Sequence, residues 1–142
     1  MNKKTQVVVG ILSRYNLKTN QIEYLFNQRP LGKHYENYWE FAGGKVEANE
    51  TNIQALYREL EEELGVKIDI NTVKYLTSIT HDYEHASVEL YFYAVNSWEG
   101  EPQCLEGQNL MWCSIENYPK PILPSLEYLI PNLRNASDSG LS

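Results

Sequence analysis

Glu59, Glu62 and Glu63 stand at positions i, i+3 and i+4 of one stretch. On an α-helix, at about 100° per residue, they fall on one face within an arc of roughly 100°. Carboxylates this close repel one another, and the repulsion costs stability unless a cation joins them. Hard divalent ions such as Mg²⁺ and Mn²⁺ take oxygen ligands of this kind. Arg58 is adjacent and can pair with part of the cluster. The plainer alternative is a solvated, glutamate-rich helix face with nothing bound, because glutamate favours helices in its own right. The residues in front of the cluster shift the balance. Gly43-Gly44-Lys45 lets backbone approach a ligand closely and adds a positive charge where a phosphate can use it.

These groups need a helix to carry them. Thr51 followed by Gln54 forms a capping box, and Gly65 is a C-terminal stop, which predicts a helix over 52–64 with Glu50 at its entrance. Ile53, Leu56, Tyr57, Leu60 and Leu64 recur at helical spacing as its buried stripe. Before it, the apolar run Val7–Leu12 reads as a buried strand, 21–29 as a second strand ending at Pro30, and Trp39-Glu40-Phe41 as a short extended piece broken by Gly43-Gly44. After it, 73–80 and 87–95 read as strands joined by the polar connection 81–85, and 109–114 as another. A closing helix is expected over 126–133, with Pro124 near its start and Pro131 near its end. The pattern predicts an α/β fold (α+β under another convention), a mixed β-sheet covered by helices.

The net charge of -7 and the absence of a basic run argue against a nucleic-acid polymer as partner. An acidic chain acting on an anionic small molecule needs local cations. No apolar stretch is long enough to span a membrane, and none resembles a cleaved signal. Cys104 and Cys113 have no CxxC spacing and read as buried small hydrophobes in a reducing, cytoplasmic setting. The chain reads as one domain over 1–135 with a loose tail over 136–142, acting as a monomer or weak homodimer.

Gly44, Glu50, Arg58, Glu59, Leu60, Glu62, Glu63, Gly65 and Val66 fill every specified position of G-x5-E-x7-R-E-U-x-E-E-x-G-U, where U is a bulky aliphatic. The chain thereby resembles the Nudix hydrolases, and it looks closest to their MutT-like branch, which clears oxidised purine nucleotides from the precursor pool. Val8-Val9-Gly10-Ile11, Gln28-Arg29-Pro30, the approach 39–45, Trp98-Glu99-Gly100-Glu101-Pro102 and Glu106-Gly107-Gln108 are similar to further segments of that branch. The resemblance implies a mixed sheet between helices with a loop-helix-loop catalytic motif. It also implies attack of water on a nucleoside diphosphate linked to X, releasing for this branch a nucleoside monophosphate and pyrophosphate. It assigns Mg²⁺, which Mn²⁺ can replace, to Glu59, Glu62, Glu63, the Gly44 carbonyl and Glu106. Arg29, Phe41, Gly43, Lys45 and the position of Ile122 fall where the substrate would lie. Glu59 is the first choice for the general base, ahead of Glu62 and Glu106, and Arg58 braces the carboxylates.

In the MutT-like branch a polar side chain in the Pro-rich segment near the C-terminus reads the oxidised purine. Here Ile122 takes that position, so the direct hydrogen bond is missing, while Asn109 or Tyr83 remains open as a polar contact. The segments 39–47 and 112–114 also resemble relatives that prefer CTP. Hydrolysis of CTP or another nucleoside diphosphate derivative is therefore the alternative activity, and a nucleotide-binding regulator without turnover is the alternative class. His81 and His85, with Asp82 and Glu84, read as a polar strand connection and not as a metal cluster.

Overall fold

The computed structural model describes residues 4–84 and 86–138. Nine strands and two α-helices follow in chain order: β1 (Thr5–Asn16), β2 (Gln21–Gln28), β3 (Trp39–Glu40), β4 (Ala42–Lys45), α1 (Asn52–Leu64), β5 (Lys67–Ile68), β6 (Lys74–Tyr83), β7 (Ala86–Val95), β8 (Trp98–Glu99), β9 (Leu110–Ser114) and α2 (Ile130–Asp138). Seven strands form a mixed sheet in the order β3-β2-β1-β7-β6, with β4 also on β1 and β9 also on β2. β1 runs parallel to β7 from Thr5 to Leu12. β4 pairs antiparallel with its first half, Val7 to Gly10, and β2 with its second, Ser13 to Asn16. β5 and β8 form a separate two-stranded ladder.

The unbroken apolar run in β1 is explained by burial on both faces. Val8 and Leu12 point to the face covered by α1, where they pack with Leu56, Leu60 and Leu64. Val9 and Ile11 point to the other face, which Leu126, Leu129, Ile130 and Leu133 close. The sheet is thus held between helical segments. Gly10 lets α1 sit directly on β1, since a Cβ there would lie 2.6 Å from Leu60 Cδ1.

Several boundaries differ from the sequence reading. Gly43 and Gly44 do not break a strand but lie inside β4, and neither has a positive φ. They are glycines for want of space and not for backbone conformation. The polar segment after 80 is partly strand: β6 continues through His81 and Asp82 to Tyr83, opposite β7, and His85 lies outside the described residues. The closing helix begins at Ile130, so Pro131 stands in its first turn, where its missing N–H costs nothing. A 3-10 turn, Pro124–Leu126, occupies the predicted start. α2 reaches Asp138, three residues into the stretch read as a loose tail; residues 139–142 lie outside the described ones. Cys113 is buried but Cys104 only partly so.

Candidate active site

α1 presents the acidic cluster because both its ends are fixed. The Thr51 hydroxyl accepts from Gln54 N–H, the Gln54 side chain accepts from Thr51 N–H, and Gly65 closes the helix in the left-handed region at φ 70°. Ala55, Leu56, Leu60 and Leu64 are buried, with Ile53 and Tyr57 at the margins of the stripe. That orientation turns Arg58, Glu59, Glu62 and Glu63 toward the rim beside β4.

Arg58 is the hub. Its Nε donates to Glu50 Oε2 at 2.7 Å and its Nη2 to Glu50 Oε1 at 2.9 Å, a bidentate pair. Its Nη1 donates to Glu59 Oε1 at 2.8 Å and Glu62 Oε2 at 3.3 Å, and its Nη2 also reaches the Lys45 carbonyl at 3.0 Å. Two hydrogen bonds from Arg58, with the Glu47 N–H, hold the Glu50 carboxyl down at a pKa of about 2. The acid at the helix entrance therefore anchors Arg58, and Arg58 orders the carboxylates.

The glycines bring the loop against those carboxylates. A Cβ on Gly44 would lie 2.3 Å from Glu59 Cδ and Oε2. A Cβ on Gly43 would lie 2.1 Å from the Val8 carbonyl oxygen. Gly43 N–H donates to Glu63 Oε2 at 2.6 Å, so the third carboxylate is tied to β4. Burial, then the charge of Glu40, push Glu63 up to about 9, with Glu59 and Glu106 adding to the shift and the Gly43 bond opposing it. Burial also raises Glu59, against the pull of Arg58.

Glu106 comes to this cluster from far along the chain. Gln103 N–H donates to the Leu64 carbonyl at 2.9 Å and Leu105 N–H to the Glu63 carbonyl at 3.1 Å, so the segment before Glu106 is laced to the end of α1. Gly107 fits where a Cβ would strike Asn27 Oδ1 at 2.3 Å, and Gln108 N–H donates to the Gln28 carbonyl at 3.0 Å. Glu106 is thus held between β2 and α1, close enough to raise both Glu59 and Glu63.

Residues 4–133 match the NUDIX domain. The chain belongs to the Nudix family. It is 34% identical over 135 residues to an 8-oxo-dGTP diphosphatase of Escherichia coli (strain K12), an alignment covering 89% of this chain and 99% of that one. It is 37% identical over 114 residues to a CTP pyrophosphohydrolase of the same organism, covering 80% and 78%. Its fold matches the solution structure of the E. coli ORF135 protein with a TM-score of 0.80 at 34% identity, covering 97% of this chain and 94% of that one. The chain is a Nudix hydrolase of MutT type, with the mixed sheet and helices of that fold.

Nudix hydrolases work with divalent metal, and the donor set here fits one. It consists of hard oxygens, burial and then neighbouring carboxylate charge raise Glu63, and Gly44 leaves a cradle that any side chain would fill. Among the described residues no three acidic, histidine or cysteine side chains converge as a ready ligand set. Arg58 and the Gly43 N–H hold the carboxylates that a cation would claim.

The sequence-derived substrate residues fare unevenly. Arg29 is anchored, with Nη1 on Glu40 at 2.9 Å and Nε on the His34 carbonyl at 2.7 Å. Lys45 is exposed at the end of β4. Phe41 is a correction: it is 3% exposed, with its ring centroid 4.7 Å from that of Phe26, and belongs to the core and not to the binding surface. Ile122 is a second correction. It bridges to Trp39 and its side chain packs in the core, so it offers the site no polar side-chain contact. Asn109 donates to Gln28 Oε1 at 2.8 Å. Glu40 joins the site although no sequence motif singles it out. Its carboxylate is paired with Arg29, and burial raises its pKa despite that partner. It is the leading charge acting on Glu63, linking the acidic cluster to the arginine. A lone acid between Trp39 and Phe41 was the available signal.

Proposed function

We propose that this chain is a Mg²⁺-dependent nucleoside triphosphate pyrophosphohydrolase that converts (8-oxo-)dGTP to the monophosphate and pyrophosphate. On this reading it acts in the cytoplasm, in nucleotide-pool sanitising and DNA mutation avoidance. The observation that carries the reading is the convergence of Glu59 and Glu63 on the Gly43-Gly44 backbone beside Glu106. Glu59, Glu62, Glu63, Glu106 and the Gly44 carbonyl would hold the ion. When bound, Mg²⁺ neutralises polyphosphate charge and activates water. Arg58 keeps Glu59 and Glu62 in place from its anchor on Glu50. Glu59, raised by burial, is the general base that takes the proton of the attacking water. Arg29 and Lys45 bring positive charge to the substrate from the β2 and β4 sides.

A second reading, hydrolysis of CTP, is supported by the apolar Ile122, which lacks the expected polar contact to a purine, and by the similarity to a CTP pyrophosphohydrolase. Steady-state pyrophosphate release from 8-oxo-dGTP, dGTP and CTP with Mg²⁺ tests both. A preference for 8-oxo-dGTP below tenfold over the other two removes the pool-sanitising role. Absence of pyrophosphate from all three removes both readings.

A further inference from the structure

Four carboxamide side chains from separate segments meet beside Arg29: Gln28 at the end of β2, Asn37 in the loop 31–38, and Gln108 and Asn109 just beyond Glu106. A carboxamide donates only from its nitrogen and accepts only at its oxygen, so a chain of them has a direction. Two backbone carbonyls set that direction. Gln108 Nε2 donates to the Arg29 carbonyl at 2.7 Å, and Gln28 Nε2 to the Asn37 carbonyl at 3.1 Å. A carbonyl can only accept, so both glutamines must present nitrogen there. The remaining bonds follow. Gln108 Nε2 also donates to Asn37 Oδ1 at 2.7 Å, and Asn109 Nδ2 donates to Gln28 Oε1 at 2.8 Å. Asn37 itself sits in the left-handed region at φ 71°, which asparagine tolerates better than most residues, and its N–H donates to the Arg29 carbonyl at 3.3 Å.

Gln108 thereby joins two loops. In the first, Leu105 N–H on the Glu63 carbonyl and Gln108 N–H on the Gln28 carbonyl bracket Glu106 between α1 and β2. The second, 31–38, grips Arg29: its His34 carbonyl accepts from Arg29 Nε at 2.7 Å, and its Tyr38 carbonyl from the Arg29 N–H at 2.8 Å. Gln108 stands two residues from Glu106, so a displacement of one carries to the other.

We propose that Gln108 is a positioning residue of this site: its amide clasps the loop of Glu106 to the loop that grips Arg29. The cation side and the substrate side of the site are then held in one geometry. This rests on the Mg²⁺-hydrolase reading, which makes Glu106 a ligand and turns Arg29 to the substrate. A group that orients a metal ligand from behind is worth roughly 10–100-fold in metal affinity.

The test uses Gln108→Met, which keeps the length of the side chain and removes both donated bonds. In metal-free protein, amide hydrogen exchange should quicken about tenfold over 36–38 as well as over 106–108, the worth of a net hydrogen bond. Exchange over 56–64 of α1 should match wild type, which shows the fold intact. Asn37→Asp keeps an acceptor for Gln108 and tolerates the left-handed region, so its exchange over 106–108 should stay within about threefold of wild type. Calorimetric Mn²⁺ binding should weaken about tenfold in Gln108→Met. The same change made in Glu106→Gln should weaken it less than about threefold further, because the clasp acts through that carboxylate. Quickened exchange confined to 106–108, quickened exchange that extends to α1, exchange as in wild type throughout, or equal weakening of Mn²⁺ binding in both backgrounds overturns the proposal. No Mn²⁺ binding by wild type refutes the metal reading alone, and the exchange of the two loops in metal-free protein then decides the clasp.

Discussion

Gly44→Ala separates the chemistry of this site from its fold. The added Cβ would sit 2.3 Å from Glu59 Cδ and Oε2 and 2.5 Å from Oε1, whereas ordinary contact begins at 3.4 Å. The carboxylate must therefore retreat by about 1 Å. It can do so, because it is the far end of a flexible side chain, but only by straining the 2.8 Å bond from Arg58 Nη1. Gly44 has no positive φ, so alanine brings no backbone strain, and a smaller unfolded-state entropy offsets part of the crowding. Stability should change by less than about 1.5 kcal/mol. A displacement of about 1 Å at a positioned catalytic group costs on the order of 100-fold in rate, so kcat for pyrophosphate release should fall by about that factor. Gly43→Ala is the control. Its Cβ would meet the Val8 carbonyl oxygen at 2.1 Å and Val9 Cα at 2.9 Å, backbone atoms of the strand that β4 pairs with. They cannot move without parting β1 from β4, so this variant should lose about 3 kcal/mol, roughly 10 °C in Tm. Thermal melts by circular dichroism and steady-state kinetics with Mg²⁺ measure both. Gly44→Ala with kcat within threefold of wild type, or with a melting loss equal to that of Gly43→Ala, would refute the reasoning.

Glu62→Gln should lower kcat by at least 100-fold while leaving Tm within about 2 °C, since this carboxylate is half exposed and makes one long contact with Arg58; near-normal turnover of the folded variant would remove Glu62 from the metal set. Mg²⁺ or Mn²⁺ at ten times its dissociation constant should add about 1.4 kcal/mol, near 4 °C in Tm; a flat melting temperature across a millimolar titration would speak against cation binding. The Glu50 carboxyl, held at about 2 by Arg58 and the Glu47 N–H, contributes stability that is complete above the unfolded carboxyl value near 4.5 and disappears as pH falls toward 2. Glu50→Gln should accordingly melt below wild type at pH 6, with the gap closing by pH 2, and a gap independent of pH would contradict the ion pair.

α1 and its chemistry were legible from local pattern. Thr51, Gln54 and Gly65 set the helix ends through bonds within a few residues, and the stripe of Leu56, Leu60 and Leu64 sets which face is buried. The face of Glu59, Glu62 and Glu63 follows from helical periodicity alone. Contacts between distant segments were not legible. Gly43-Gly44 looks like a strand break by composition, but β1 pairing makes it strand, and only the approach of Val8 and Glu59 explains why no side chain is present. Phe41 and Ile122 sit at positions that resemble ligand-facing ones, yet core packing claims them both. The role of Glu40 depends on Arg29 and Glu63, and that of Glu106 on hydrogen bonds from its loop to the end of α1. The linear order of residues thus determined the helix, its caps and its acidic face, because those arise from neighbours within one or two turns. Tertiary structure decided which distant groups meet that face and which side chains the core claims, because burial and pairing belong to the packed sheet as a whole.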